Sequence, residues 1–126
     1  MIEIITGVAL TLLAGLIIFQ IALAAGAPLG RFAWGGKFAG ALPARLRVAS
    51  FIAALLLILF GLFAAHKPGW ISLLDDRIVS IGLWIILAQL MLNTLGNLAS
   101  KSKSERTVMT PISGILAVCF LLLALN

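Results

Sequence analysis

The chain has 126 residues, room for one domain at most. Hydrophobic residues make up 63% and charged residues 10%, the mean hydropathy is +1.22, and so short a chain has too little interior to keep that much apolar side chain out of water. A soluble enzyme, a disordered tail and a disulfide scaffold are excluded, the last because Cys119 is the one cysteine; the net charge of +5 sits between apolar runs, where membrane-topology charges sit, and does not point to nucleic acid.

The first apolar run, residues 4–27, is long enough to cross about 30 Å of hydrocarbon at 1.5 Å per residue. Glu3 precedes it with no Lys or Arg, which argues against a cleavable signal peptide. A small-residue stripe (Gly7, Thr11, Ala14, Gly15, Ala22, Ala25) predicts close approach of a second helix. Gln20 lies away from that stripe, and its target stays open between a neighbouring helix, a partner subunit and the headgroup layer.

The connection at 28–47 is the most distinctive segment. Glycines and prolines forbid one continuous helix, yet Phe32, Trp34 and Phe38 interleave with Arg31, Lys37, Arg45 and Arg47. A connection this long tends to be functional, and its composition predicts a structured loop at or dipping into the interface. Two roles are compatible with it. One is an anchor, with Trp34 and Phe38 among headgroups and the basic residues on lipid phosphates. The other is an anion nest of Gly35 and Gly36 N–H groups beside Lys37 and Arg31. The lone Gly-Gly-Lys lacks Walker spacing, so a nucleotide site is not expected.

The second run, 48–65, is slightly short and should borrow flanking residues. Its stripe of Ser50, Ala53, Ala54, Gly61 and Ala64 matches the small stripe of the first run, which predicts that the two pack together. Lys67-Pro68-Gly69-Trp70 reads as a turn with an interfacial tryptophan, and Asp75 or Asp76 as the cap of the next helix.

In the third run, 78–99, Gly82, Gln89, Asn93, Gly96, Asn97 and Ser100 fall within an arc of roughly 100°. An unpaired amide in hydrocarbon is costly, so this stripe should face protein or a cavity. The amides read either as interhelical glue or as the wall of a polar pocket. In the connection 100–107, Thr107 or Thr110 is expected to cap the fourth run, 108–125, with Pro111 in its first turn; a start nearer Ser104 would make Pro111 a kink.

None of the four runs holds an Asp, Glu, Lys, Arg or His, whereas proton-coupled carriers usually need an intramembrane carboxylate or histidine. Arg31, Lys37, Arg45, Arg47, Lys101, Lys103 and Arg106 lie on one side, and only Lys67 and Arg77 on the other. That bias predicts cytoplasmic first and third connections and outside termini. Among Glu3, His66, Asp75, Asp76, Glu105 and Cys119, only His66 with the two aspartates forms a conceivable constellation, and its plain reading is an interfacial histidine beside a helix cap. No enzyme activity, metal or cofactor is expected.

The string from Gly26 to Ser50, with Gly26, Pro28, Gly30, Arg31, Trp34, Gly35, Gly36, Leu42, Pro43, Leu46, Arg47 and Ser50 as the matching positions, resembles a group of small four-span bacterial membrane proteins of uncharacterised function. The resemblance implies a fold and no reaction. Small multidrug carriers use a glutamate inside the first span, and here Glu3 sits at its extreme end; dual-topology fluoride channels have nearly balanced loop charges, and here they are biased.

The expected architecture is an all-α integral membrane bundle of four transmembrane helices, one domain over residues 1–126. The first functional expectation is a structural or accessory membrane protein whose basic loops contact lipid headgroups or a partner. The alternative is a binding or transport protein with a polar pocket between the first loop and helix three. Candidate ligand or lipid contacts are Arg31, Trp34, Gly35, Gly36, Lys37, Arg47, Gln89, Asn93 and Asn97. Expected partners are membrane lipids, a second copy or another membrane protein, and not nucleic acid.

Overall fold

The computed structural model describes residues 1–126 and contains helices and turns but no strand. The long helices are α1 (Ile2–Ala24), α2 (Ala44–His66), α3 (Asp76–Leu98) and α4 (Thr110–Leu125), the last continuing a π-helical turn over Glu105–Met109. With that turn included, all four are long and apolar enough to cross a membrane. Ile18, Leu55, Ile58, Ile85 and Val118 point outward, as side chains facing lipid do. The chain is a multi-pass membrane bundle of four helices.

α2 gains its length by starting at Ala44 and taking Arg45 and Arg47 into its first turn. Asp75, not Asp76, caps α3: its carboxylate accepts from the Arg77 N–H at 2.8 Å. Asp76 instead meets His66 Nε2 at 2.6 Å, tying the end of α2 to the start of α3. Between them Gly69, at φ 83°, closes the turn, with its N–H on the His66 carbonyl at 3.0 Å.

The fourth helix begins earlier than either threonine cap implied. Helical winding starts at Lys103, so Thr107 donates back to the Lys103 carbonyl at 2.8 Å and neither Thr107 nor Thr110 is a cap. Pro111 has no N–H to give to the preceding turn, and the chain widens into the π turn just before it.

The bundle is unequal along its length. The N-terminal halves of α1 and α3 meet the C-terminal halves of α2 and α4 around a core built on Ala9, Leu13, Phe60, Ala64, Leu83, Leu116, Phe120 and Leu123. Cys119 is buried there as a small hydrophobe. Gly82 belongs to this tight half: a methyl group on it would lie 1.9 Å from Cε2 of Phe63, so α2 and α3 close up here because Gly82 has no side chain. At the other end Leu23, Ala33 and Leu42 make a small cluster that seats the first loop, while α2 and α3 separate.

The small stripe on α2 does what was expected of it. Ser50, Ala54 and Ala64 are buried, and Gly61 takes Leu10 and Leu13 of α1 against its open side. The stripe on α1 does not: Thr11, Ala14, Gly15 and Ala25 are exposed, and a methyl group added to Gly7 or Gly15 would have nothing within 4 Å. α1 packs instead through Thr6, Ala9, Leu13 and Leu23, and its leucines fill the grooves left by the small residues of α2.

Candidate functional site

Where α2 and α3 part, they leave a cavity of about 700 Å³. α1 contributes Leu16, Phe19 and Gln20; α2 one face between Ala49 and Phe60, with Ile52, Ala53, Leu56 and Leu57; α3 Gln89, Asn93, Gly96 and Asn97; the fourth helix Glu105, Met109 and Ser113. Phe32 to Gly35 of the first loop close it at one end. Ile52, Leu56 and Leu92 stand at its rim and are about half exposed or more, so it opens sideways between α2 and α3.

The first loop reaches this position through two short 3-10 turns, Gly30–Phe32 and Trp34–Gly36. Trp34 has φ 53°, a left-handed conformation rare for a bulky residue, followed by Gly35 at φ 75° and Gly36 at φ 72°. Strain of that kind persists where surroundings over-determine it. Here the indole N–H donates to Ser50 Oγ of α2 at 3.1 Å, while Ser102 of the third connection donates to the Arg31 carbonyl. Gly36 lies against Ser102 so closely that an added methyl would be 2.2 Å from its Cβ. The two connections at this end therefore form one unit.

Trp34, Gly35, Gln89, Asn93 and Asn97 come together on the cavity. Arg31, Gly36, Lys37 and Arg47 do not. The Arg31 guanidinium lies 4.7 Å from the Phe32 ring centroid and the Lys37 ammonium 5.7 Å from that of Phe38, so both charges spread over aromatic faces of the loop itself. The anion nest is not formed, because the Gly36 N–H is spent on the Ala33 carbonyl at 2.9 Å. Arg47 donates Nε to the Ala24 carbonyl at 3.0 Å and packs on Gly26, closing the C-terminus of α1 onto α2. Trp34 donates to Ser50 of α2 and stays 43% exposed.

The three amides of α3 have different jobs. Asn97 reaches across to α4, donating to Ser113 Oγ at 3.1 Å and to the Met109 carbonyl at 3.4 Å. Gln89 donates to Asn93 at 3.1 Å, a bond within α3 that joins no helices and leaves both side chains on the cavity wall. Asn97→Leu should therefore lower stability by about 0.6–1.7 kcal/mol, the range for interhelical bonds in bilayers. Asn93→Leu should change it by less than about 0.5 kcal/mol. Thermal unfolding of the two variants in detergent checks this, and equal losses would contradict the assignment.

Two wall residues were not anticipated. Gln20 points inward, and its Oε1 is buried with no hydrogen-bond partner. Glu105 is 4% exposed, although the basic residues around it read as a solvated loop. Each shares a face with the buried residues of its helix: Thr6, Ala9, Leu13, Leu16, Gln20 and Leu23 recur every three or four residues, as do Glu105, Met109, Ser113, Leu116 and Phe120. Compared with known proteins, the chain matches no family model, no curated protein and no solved structure.

Proposed function

We propose that the chain is a membrane-embedded binding protein, without catalytic activity, that holds a small amphipathic molecule in the cavity between α2 and α3. The observation that carries this reading is the cavity itself. Its volume of about 700 Å³ is that of a site for a drug-sized ligand, and it combines apolar walls with a few convergent polar groups. The docking or accessory role is the second reading: Arg31, Lys37 and Arg47 each make one contact within the protein but stay exposed, open to headgroups or a partner. The lateral opening suits a ligand that arrives through the lipid, by uptake into a carrier or simply for storage. The loop charges favour cytoplasmic first and third connections with both termini outside, and the resemblance read from residues 26–50 would imply a bacterial inner membrane. Reporter fusions at Asn126 should read as non-cytoplasmic; a cytoplasmic reading would reverse the orientation.

Gly96 supplies the test of the cavity. It faces the cavity, and nothing lies within 4 Å of a methyl group placed on it, so a larger side chain enters empty space without a clash. Native mass spectrometry from mild detergent should find a non-lipid adduct on the wild-type protein that Gly96→Phe lacks, with the helical circular dichroism of the two identical. Adducts of the same mass and abundance on both would return the chain to the docking role.

A further inference from the structure

We propose that the cavity takes an organic cation, with Glu105 as its counter-charge; this rests on the binding reading above and names the ligand's class. Glu105 is almost wholly withdrawn from solvent and lines the cavity. The hydrogen bond found at this residue runs from its backbone N–H to Ser102 Oγ at 3.4 Å and leaves the carboxyl group unserved. The ion pairs of the structure are Met1–Glu3 and His66–Asp76, and neither involves it. Its neighbour Arg106 is turned to the Ser100 carbonyl, which it meets at 2.7 Å. No Lys or Arg lines the cavity at all.

A carboxylate held against largely apolar walls, with neither donor nor counter-charge beside it, is unfavourable, and a bound cation removes the deficit. The rest of the wall fits such a guest. Phe19, Trp34 and Phe60 place aromatic rings in the wall, a residue type that attracts cations, and the unpartnered Gln20 Oε1 offers an acceptor. An anion would meet the Glu105 carboxylate and the negative ring faces instead. A bare metal ion is not provided for, since no three His, Cys, Asp or Glu residues gather anywhere in the chain. The guest is therefore a cation with apolar bulk, such as a tertiary or quaternary ammonium or a phosphonium.

Equilibrium dialysis decides the matter with two probes of similar shape, tetraphenylphosphonium and neutral triphenylphosphine oxide. The protein is placed in phosphatidylcholine nanodiscs, and empty discs are subtracted. The wild type should bind the cation about tenfold or more tightly than the neutral probe, as expected of a desolvated charge pair. Glu105→Gln should remove that preference and keep the neutral probe, which shows the cavity intact. If Glu105→Gln does not fold, the wild-type ratio decides alone. Equal binding of both probes to the wild type, or a preference that Glu105→Gln leaves unchanged, overturns the cation while the cavity reading stands. Failure of the wild type to bind either probe overturns the cation as well, and the Gly96→Phe mass spectra then show separately whether the cavity holds anything.

Discussion

Gly30→Ala should open the first loop and destabilise the protein by about 3 kcal/mol or more, the upper end for overpacking a site that cannot relax. Gly30 is buried beneath the return of its own loop. A methyl group there would lie 1.8 Å from the Phe38 carbonyl oxygen, 2.6 Å from that of Gly40 and 3.0 Å from the Phe38 carbonyl carbon. All three are backbone atoms, so no side-chain rotation makes room. The backbone must move, and with it goes the bond from the Gly30 N–H to the Gly40 carbonyl at 3.0 Å. The next residues are those that hold Trp34 over the cavity, so displacement of the loop should also strip the adduct that the wild type carries. The readouts are the thermal midpoint and the rate of tryptic cleavage at Arg31 and Lys37 in detergent. Gly40→Ala is the matched control: nothing lies within 4 Å of its added methyl, and it should cost less than about 0.5 kcal/mol. Equal behaviour of the two variants would mean that the loop does not close on itself in this way.

That loop illustrates how far the amino-acid sequence carries. Its glycines and prolines announce an irregular backbone, and its aromatics announce contact with something apolar, but neither says which way the loop folds. The direction comes from two hydroxyls, Ser50 for Trp34 and Ser102 for the Arg31 carbonyl, in segments far apart along the chain. Ser50 was legible as a small residue of the α2 stripe, but neither it nor Ser102 shows in the sequence which distant group its hydroxyl will meet. The four helices were readable because a span is a local property: length and hydropathy suffice. The face each helix presents is not local. On α1 the small residues formed the more regular stripe, yet the buried seam is the larger set through Leu13 and Leu23, because α2 already supplies the small side of that contact. Two small stripes facing each other would leave a void between them, and one small stripe needs a large one opposite. The polar arc of α3 was legible since all its residues but Ser100, just beyond the C-cap, lie within one helix. Glu105 was not, because its burial depends on where the fourth helix begins. Lys103 and Arg106 made that stretch look like a connection, whereas in the bundle they flank a turn of helix whose inner side is the cavity wall.

Phe120→Ala should be the most damaging single truncation in the tight half of the bundle, at about 3 kcal/mol, the lower end for losing a buried aromatic ring. Phe120 is fully buried, edge-on to Phe60 of α2 with ring centroids 6.4 Å apart and an interplanar angle of 65°. The lower end applies because lipid is as apolar as the core, so the variant loses no hydrophobic transfer. It loses dispersion contacts and the aromatic pair, and leaves a void that the neighbours fill only in part. Leu116 and Leu123, one turn to either side on the same face, cannot reach across to Phe60 without leaving their own places against α1 and α3. The matched control is Ile85→Ala on α3, 64% exposed, where lipid replaces the missing atoms and the change should be under about 0.5 kcal/mol. Thermal unfolding in detergent reads both. A cost at Ile85 equal to that at Phe120 would mean that the outer face of α3 is covered by another polypeptide and not by lipid. Since Phe120 belongs to the core to which all four helices contribute, loosening this half also removes the fulcrum that sets the spacing of α2 and α3 at the cavity mouth, and the Gly96-dependent adduct should weaken in Phe120→Ala even though Phe120 does not line the cavity.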